Sequence, residues 1–393
     1  MRDKTNNITG ECTSFKENVY FHKCKNKQHF PDEGPINSAK AQQIVGIYFV
    51  RKWPYPFLLT YHVLGEEFGK SKICFISMKG KKWHWRARTS AIYLSQNIPF
   101  QHSFRVIFAT SVLNLSELIA LREDLRNTKK IIYFHENQLN YPRQEYKDRD
   151  FQYGYNEVLT CLVADLVIFN SMFNRDSFLN GIKKHFDILP DYRPKSLKER
   201  IENKSHVIYF PILNLNNPVC KNYNVRLHIV WPHRWEHDKN PRAFLNVICR
   251  LSKNSSDFDL SMIGEQFTDQ DTFEEIRKDL GDHIANWGYV HSKEDYFQIL
   301  SKSHIAVSTA DHEFFGVSML EAAQRGCLPL CPDKLVYPEL YPSCCLYKNY
   351  EELYNRLVYF CTNVHKIKSL VQNLNVDRYN CKSLIPEYIK LFR

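Results

Sequence analysis

From Ile44 to the end of the chain, short apolar runs alternate with longer amphipathic stretches. Ile131-Ile132-Tyr133-Phe134, Leu166-Val167-Ile168-Phe169 and Val207-Ile208-Tyr209-Phe210 are rich in β-branched and aromatic side chains, the pattern of buried strands. Asn156 to Ala164 lies between the first two and reads as a helix. This rhythm predicts βαβ units and a parallel sheet. Leu213 to Asn224 is Asn-rich, contains Pro218 and reads as a linker. Beyond it the rhythm restarts with a strand at Leu227-His228-Ile229-Val230-Trp231 and a helix over Pro241 to Lys253, with proline at its start. A strand at Leu260 to Gly264, a helix over Asp271 to Leu280, a run at Ala285 to Val290 and a helix over Lys293 to Ser301 follow. Ile305 to Ser308 and Leu328-Pro329-Leu330 complete a second α/β sheet. The first forty-three residues, rich in Lys, Asn and Thr, show no such period. The pattern therefore predicts an extension over 1–43, one α/β domain over 44–212, a linker over 213–225 and a second α/β domain over 226–393. The last helix is placed to pack back on the first domain. Two such domains make a cleft, with ligands expected at the carboxyl ends of the strands.

The length of 393 residues suits two cores better than one. Composition is that of a water-soluble protein, 44% hydrophobic and 24% charged. Glycines number only 13, and neither G-x-G-x-x-G nor a phosphate-loop motif occurs, which argues against NAD or ATP as the ligand. The net charge of +10 is unevenly placed: Lys70, Lys72, Lys79, Lys81, Lys82, Arg86 and Arg88 follow one another with no acid between them. A polyanionic partner is the natural expectation. Twelve cysteines lack the paired spacing of a zinc site, so no metal site is expected. The polar N-terminus is unlike a signal peptide, and no run of 18 apolar residues occurs. These features lead us to expect a reduced protein of the cytoplasm, and also of the nucleus, that does not associate with membranes.

Four clusters carry candidate chemistry. In the first, Glu313-Phe314-Phe315-Gly316-Val317 follows a strand and opens a helix, with Glu321 about two turns deeper. Strand, acidic turn, glycine, helix places backbone N–H groups and a helix N-terminus where a phosphate binds. The two carboxylates then suit the hydroxyls of a sugar and of a ribose. The same residues also fit a dipole-complementing acid and a solvated helix face. In the second, Arg234 and Lys239 lie in the turn after the strand ending at Trp231, where a bidentate fork and a compact cation grip a diphosphate; Glu236 and Asp238 are there to pair with them instead. In the third, His135, Glu136, Asn137 and Gln138 crowd a strand's carboxyl end, although Asn137 also suits a helix cap. In the fourth, Lys81-Lys82-Trp83-His84-Trp85-Arg86-Ala87-Arg88 interleaves cations with indoles, as RNA contact requires; an amphipathic edge with partly buried tryptophans has the same pattern. Gly264 ends a strand, and Trp287 and Tyr289 offer an aromatic wall to a nucleobase or a plain core strand end.

Arg234-x4-Lys239, the Trp287-Gly288-Tyr289-Val290 turn and Glu313-x7-Glu321 together resemble the retaining glycosyltransferases of the GT-B fold, family 4 type. Lys82 to Ser90, Phe134 to Leu139, Asp150 to Asn156 and Val230 to Lys239 are more closely similar to the tRNA-queuosine mannosyltransferases, over roughly Lys81 to the C-terminus. The resemblance implies two Rossmann-like domains with parallel sheets facing across a cleft. It implies transfer of mannose from GDP-mannose to queuosine at the wobble position of tRNA(Asp), with retention and without a divalent metal or other cofactor. Carried over, Arg234 and Lys239 hold the diphosphate, Glu313 contacts the mannose and Glu321 the ribose. His135 lies against the sugar, and the N–H groups of Phe315, Gly316 and Val317 face sugar and phosphate. Gly264, Trp287, Tyr289 and Phe314 join the donor-binding set. Lys81, Lys82, Trp83, His84, Trp85, Arg86, Arg88, Glu136, Asn137 and Gln138 form the acceptor side, with RNA rather than DNA as partner. One departure is plain: the family's first strand leads into Gly-Gly-Ser-His, whereas the corresponding region here, about Val45 to His62, contains no such turn. Two rival expectations share these residues: a GT-B transferase with another acceptor, and a non-catalytic RNA-binding homologue. A glycosidase also uses two carboxylates but has no need of the Arg/Lys pair.

Overall fold

A computed structural model of the chain describes residues 43–50, 65, 67–79, 83–141, 150–213, 220–254, 257–266 and 270–393. The expected extension over 1–43 therefore lies outside the described residues but for its last one. So do Lys81, Lys82, most of the Asn-rich linker, and the stretch after Val50 where the family's glycine turn is missing.

Residues 41–393 form one compact unit. Its first half contains β1 (Gln43–Val50), β2 (Ile73–Lys79), α1 (Trp83–Asn97), β3 (Phe104–Thr110), α2 (Leu115–Leu121), β4 (Lys129–Phe134), α3 (Phe151–Val163), β5 (Leu166–Phe169), α4 (Met172–Phe186), α5 (Leu197–Glu202) and β6 (Ser205–Val207). The strands pair in parallel in the order β2-β1-β3-β4-β5-β6. Two expectations are corrected here. The helix expected from Asn156 begins at Phe151, so Tyr153 and Glu157 are buried on its inner face. The strand expected over Val207 to Phe210 ends at Val207; Ile208 makes one further bond to Phe169 and the chain then leaves the sheet.

The second half contains β7 (Leu227–Pro232), α6 (Pro241–Lys253), β8 (Phe258–Ile263), α7 (Gln270–Leu280), β9 (Ile284–Gly288), α8 (Lys293–Lys302), β10 (Ile305–Val307), α9 (Val317–Gln324), β11 (Leu328–Pro332), α10 (Tyr337–Leu340), β12 (Leu346–Tyr347), α11 (Tyr350–Thr362), α12 (Lys366–Gln372) and α13 (Cys381–Phe392). Its strands are also parallel, in the order β12-β11-β10-β7-β8-β9. The chain winds one way from β7 to β9 and the other way from β10 to β12. The loops after β7 and β10 therefore diverge around a crevice, the topological switch point where ligands of such sheets bind.

Every residue of β7, β10 and β11 is buried, which is why these strands read as unbroken apolar runs. Helices α6 and α11 cover one side of this sheet with buried Phe244, Leu245, Ile248, Leu251, Leu353 and Leu357. At the chain's end α13 returns to the first sheet. The Phe392 ring meets that of Phe108 at 5.4 Å, the Tyr388 ring meets that of Tyr133 at 6.1 Å, and Lys129 donates to the Leu391 carbonyl at 2.8 Å. Among the described residues no helix is long and apolar enough to cross a membrane.

Candidate active site

The loop after β7 runs from His233 to Asn240. Trp235 is fully buried against Trp287 and Phe273, which turns the flanking Arg234 outward. A short 3-10 turn over His237–Lys239 follows, and Asn240 caps α6 through the Ala243 N–H. The loop after β10 runs alongside. The Asp311 and His312 N–H groups both donate to the Asp238 carbonyl, at 2.9 and 3.2 Å. Thr309 donates its hydroxyl to the Lys239 carbonyl at 2.9 Å. The two loops around the crevice are thus zipped together by backbone groups, and the side chains they carry are held in register.

At their junction Lys239 is largely shielded, its side chain 11% exposed. Its ammonium lies 3.1 Å from Glu313 Oε2, 3.1 Å from Asp238 Oδ2 and 2.8 Å from the His312 carbonyl. Burial works against its charge, but Glu313 and Asp238 outweigh that and hold it above the usual lysine range. Burial likewise pushes Glu313 up, yet Lys239, assisted by His233 and the Phe315 N–H, brings it down to about 2. Glu313 is therefore a firm anion, and its other oxygen accepts from the Phe314 and Phe315 N–H groups at 3.1 and 3.3 Å.

This geometry corrects part of the expectation. Phe315 was expected to offer its N–H to a ligand, but that group already binds Glu313. Phe314 presents no side chain to the crevice; it is buried against His312 and Phe173, at 4.4 and 6.2 Å between ring centres. Gly316, with φ of 78°, takes the left-handed turn that starts α9. No described group accepts from the N–H of Gly316 or Val317, so these two remain available at the helix N-terminus. Glu321 sits in α9 as expected, but it is paired: Lys293, the first residue of α8, donates to it at 2.8 Å. Tyr296 also bonds to it, and that phenol is held far above its usual range by burial first and by Glu321 next.

Arg234 is half-exposed and pairs with Glu236 at 2.8 Å, so its guanidinium lies at the mouth of the crevice. Gly264 sits where the backbone of β8's end meets the loop after β7. With φ of 153°, a Cβ added there would overlap the His233 carbonyl oxygen. Its role is to let two backbones touch. Trp287 lies in the edge strand β9 with its ring against Trp235 at 4.9 Å, and Tyr289 just beyond is partly exposed.

Across the cleft, His135 follows β4 with its ring between Tyr133 and Phe210, at 4.6 and 5.5 Å. Burial lowers it to about 3, so the imidazole is neutral at any physiological pH. Glu136 follows, its carbonyl accepting from Ser111 beyond β3. Asn137 is corrected outright. It is 0% exposed and donates to the Asn174 side chain at 2.8 Å and to Ser177 at 3.0 Å. It neither starts a helix nor faces a ligand; it braces the loop. Gln138 is also buried, its N–H donating to Glu157 at 2.7 Å.

In α1, Trp83 packs edge-on against Tyr153 at 4.8 Å and His84 bonds the same phenol at 2.9 Å. Trp85 projects outward at 61% exposed, Arg88 lies over the Tyr153 ring at 5.4 Å, and Arg86 is half-buried. The segment is thus divided: Trp83 and His84 anchor it to α3, while Trp85 and Arg88 face solvent.

The sequence offered Asp238 as a partner for these cations, and it does pair with Lys239. His233, His312 and Lys293, which also contact the ionised cluster or its helix, were not singled out by it. Burial, with Lys239 next, lowers His233 to about 3 and His312 to about 4, and the Nε2 of each is buried without a protein partner. Their only signal was position within the two strand-end motifs. Lys293 is placed by folding alone, since nothing in the order of residues connects it with Glu321.

Comparison with known proteins agrees with this layout. Residues 61–212 match the family model described as tRNA-queuosine alpha-mannosyltransferase N-terminal, and residues 223–343 match that of glycosyl transferases group 1. Among solved structures, sucrose-phosphate synthase from Thermosynechococcus elongatus is similar with a TM-score of 0.62, 12% identity and coverage of 90% of this chain and 98% of that one. Anabaena HepE, solved with UDP, has a TM-score of 0.61 at 12% identity, covering 89% and 99%. TarM has a TM-score of 0.56 at 15% identity; the match covers 78% of this chain but only 58% of TarM. At such identities these show the GT-B fold and nothing finer. The tRNA-queuosine alpha-mannosyltransferase of Drosophila melanogaster is 45% identical over 343 residues, 84% of this chain and 90% of that one. The chain belongs to the tRNA-queuosine alpha-mannosyltransferase family, glycosyltransferases of the GT-B fold.

Proposed function

We propose that this protein transfers mannose from GDP-mannose to queuosine in tRNA(Asp), with retention of the anomeric configuration. The observation that carries the reading is the junction of the loops after β7 and β10. Lys239 meets an ionised Glu313 there beside the N-terminus of α9, with Arg234 carried on the same loop, a set of groups suited to a diphosphate and to sugar hydroxyls.

Cleaving the bond between sugar and diphosphate builds positive charge on the sugar and negative charge on the leaving phosphate. Preorganised cations and N–H groups stabilise that anion without reorganising, the electrostatic contribution that dominates in such sites. Lys239 is held rigid by its three acceptors, and Arg234 reaches the outer oxygens. The N–H groups of Gly316 and Val317 and the dipole of α9 complete the anion site. Glu313 orients the mannose and Glu321 the ribose, each shared with the lysine that holds it. Neutral His135 lies on the opposite wall, able to hydrogen-bond the sugar without adding charge. The acceptor's proton passes to the leaving phosphate on the same face, so no carboxylate need act as nucleophile. Two cations and a helix N-terminus supply the charge that a divalent metal supplies elsewhere, and chelators are expected to leave the rate unchanged. The exposed Trp85 and Arg88 on α1 provide a stacking face and a phosphate contact for RNA.

The test is incubation of purified protein with labelled GDP-mannose and queuosine-containing tRNA(Asp). Label on the tRNA, absent when queuosine is replaced by guanosine, is the expected result. Donor bound and tRNA bound without transfer would instead identify a non-catalytic homologue. Transfer to another acceptor would identify a different glycosyltransferase.

A further inference from the structure

Helix α4 belongs to the first sheet's half of the molecule, yet its first turn is satisfied largely from the other half. The Met172 and Phe173 N–H groups donate to the two carboxylate oxygens of Glu339, a residue of α10, at 2.9 and 3.0 Å. The next N–H, of Asn174, donates to the hydroxyl of its own cap, Ser171, at 2.9 Å. Ser171 in turn gives its proton to the Phe314 carbonyl in the donor loop, at 2.7 Å and in a fully buried setting. One hydroxyl therefore accepts from the acceptor half and donates to the donor half, which uses both of its capacities.

The contact does not end there. Asn174 donates to Asn170 Oδ1 at 2.8 Å, Asn170 donates to the His135 carbonyl at 2.8 Å, and Asn137 donates to Asn174 at 2.8 Å. A continuous chain of buried polar groups thus joins the loop of His135 to the loop of Glu313. Such a chain tolerates no slack, because each member is removed from water and depends on its neighbour. Glu339 has its own brace, with Arg378 donating to its carbonyl at 2.9 Å.

We propose that Ser171 and Glu339 form a latch between the two halves of the molecule, and that Ser171 is a positioning residue for the donor loop. The latch holds the cleft closed and sets the Phe314 carbonyl. That orients the peptide units carrying Glu313 and the Gly316 and Val317 N–H groups toward the donor phosphates. The inference rests on the proposed reading of that loop as the donor site, and its first test is independent of that reading.

Small-angle scattering of the full chain without ligand should show a larger radius of gyration for Ser171→Ala/Glu339→Ala than for the wild type, with Ser171→Thr unchanged. An unchanged radius in the double variant overturns the latch whatever the donor proves to be. The second test is calorimetric GDP binding together with steady-state transfer. Ser171→Ala should weaken GDP binding and raise the KM for the sugar nucleotide about fivefold, the loss of one neutral hydrogen bond, while tRNA affinity stays within twofold. Ser171→Thr, which retains the hydroxyl, should restore both. A Ser171→Ala protein that melts earlier but binds GDP as the wild type does would show a helix cap and nothing more, and would overturn the positioning role. Wild-type protein that binds no GDP would refute the donor reading while the scattering result stood.

Discussion

Replacing Lys239 with methionine removes the one cation shared by Glu313 and Asp238 while keeping the stem that packs between the two loops. Its consequence is measurable from the state of Glu313, which Lys239 brings from an ordinary 4.5 down to about 2 against the opposing effect of burial. A carboxylate held that far down stabilises the fold by about 3 kcal/mol, at ~1.4 kcal/mol per tenfold change in proton affinity. Because the folded value is the lower one, that stability is fully present above about 4.5 and is lost as the pH falls toward about 2. Lys239→Met forfeits it and leaves Glu313 and buried Asp238 without the cation they share, so the expected loss at pH 7 is ~3–5 kcal/mol. Urea unfolding followed by tryptophan fluorescence reads it, since Trp231, Trp235 and Trp287 all lie in the second half of the chain. The gap between wild type and variant should shrink as the pH is lowered from 6 to 3. Lys239→Met/Glu313→Gln should recover ~1–2 kcal/mol relative to Lys239→Met alone. A loss below ~1 kcal/mol, or one that is the same at every pH, would refute the account of Glu313 as an anion stabilised by Lys239.

Other consequences are equally direct. Gly264→Ala drives a methyl group into the His233 carbonyl and should destabilise the chain by ~3 kcal/mol or more, with donor binding lost; the melting temperature and GDP affinity report it. Trp85→Ala should weaken tRNA binding by ~1–3 kcal/mol in a filter assay, yet leave the melting temperature within a degree or two, because the indole is exposed. Burial brings His135 and His233 to about 3 and His312 to about 4, so none titrates near neutrality. As their folded values are depressed, stability should fall once the pH drops below ~6.5, where the unfolded chain takes up protons that the folded one refuses. The His312 and His233 ring resonances should show no midpoint above pH 5 by NMR.

Much of this was legible beforehand for a physical reason. Strands buried on both faces must be apolar throughout, so β4, β5, β7 and β10 announced themselves as runs. Helix α6 was marked at its start by Pro241. The candidate site was legible as far as its residue types, because cations and N–H groups just past strand ends suit phosphate chemistry, and the structure does bring Lys239 and Glu313 together past two strand ends. The failures have reasons too. Asn137 looked like a site residue because an amide at a strand end is chemically suited to one, and nothing local told of Asn174 some forty residues away. Val207 to Phe210 looked like a full strand because a short apolar run does not distinguish a ladder from an extended crossing segment that is buried by packing.

By itself the sequence determined two α/β halves and the residue types at several strand ends, since each follows from local periodicity and from short motifs, whereas the order of the strands in each sheet came from the fold. Only the tertiary structure decided which charges met. It placed Lys239 between Glu313 and Asp238, gave Glu321 to Lys293, turned the Phe315 N–H inward, and joined Ser171 to Phe314 across the cleft. Those pairings depend on a switch point that exists only once β7 and β10 lie side by side. The interaction energy of two charges falls with their distance in space, and their separation along the chain does not determine it.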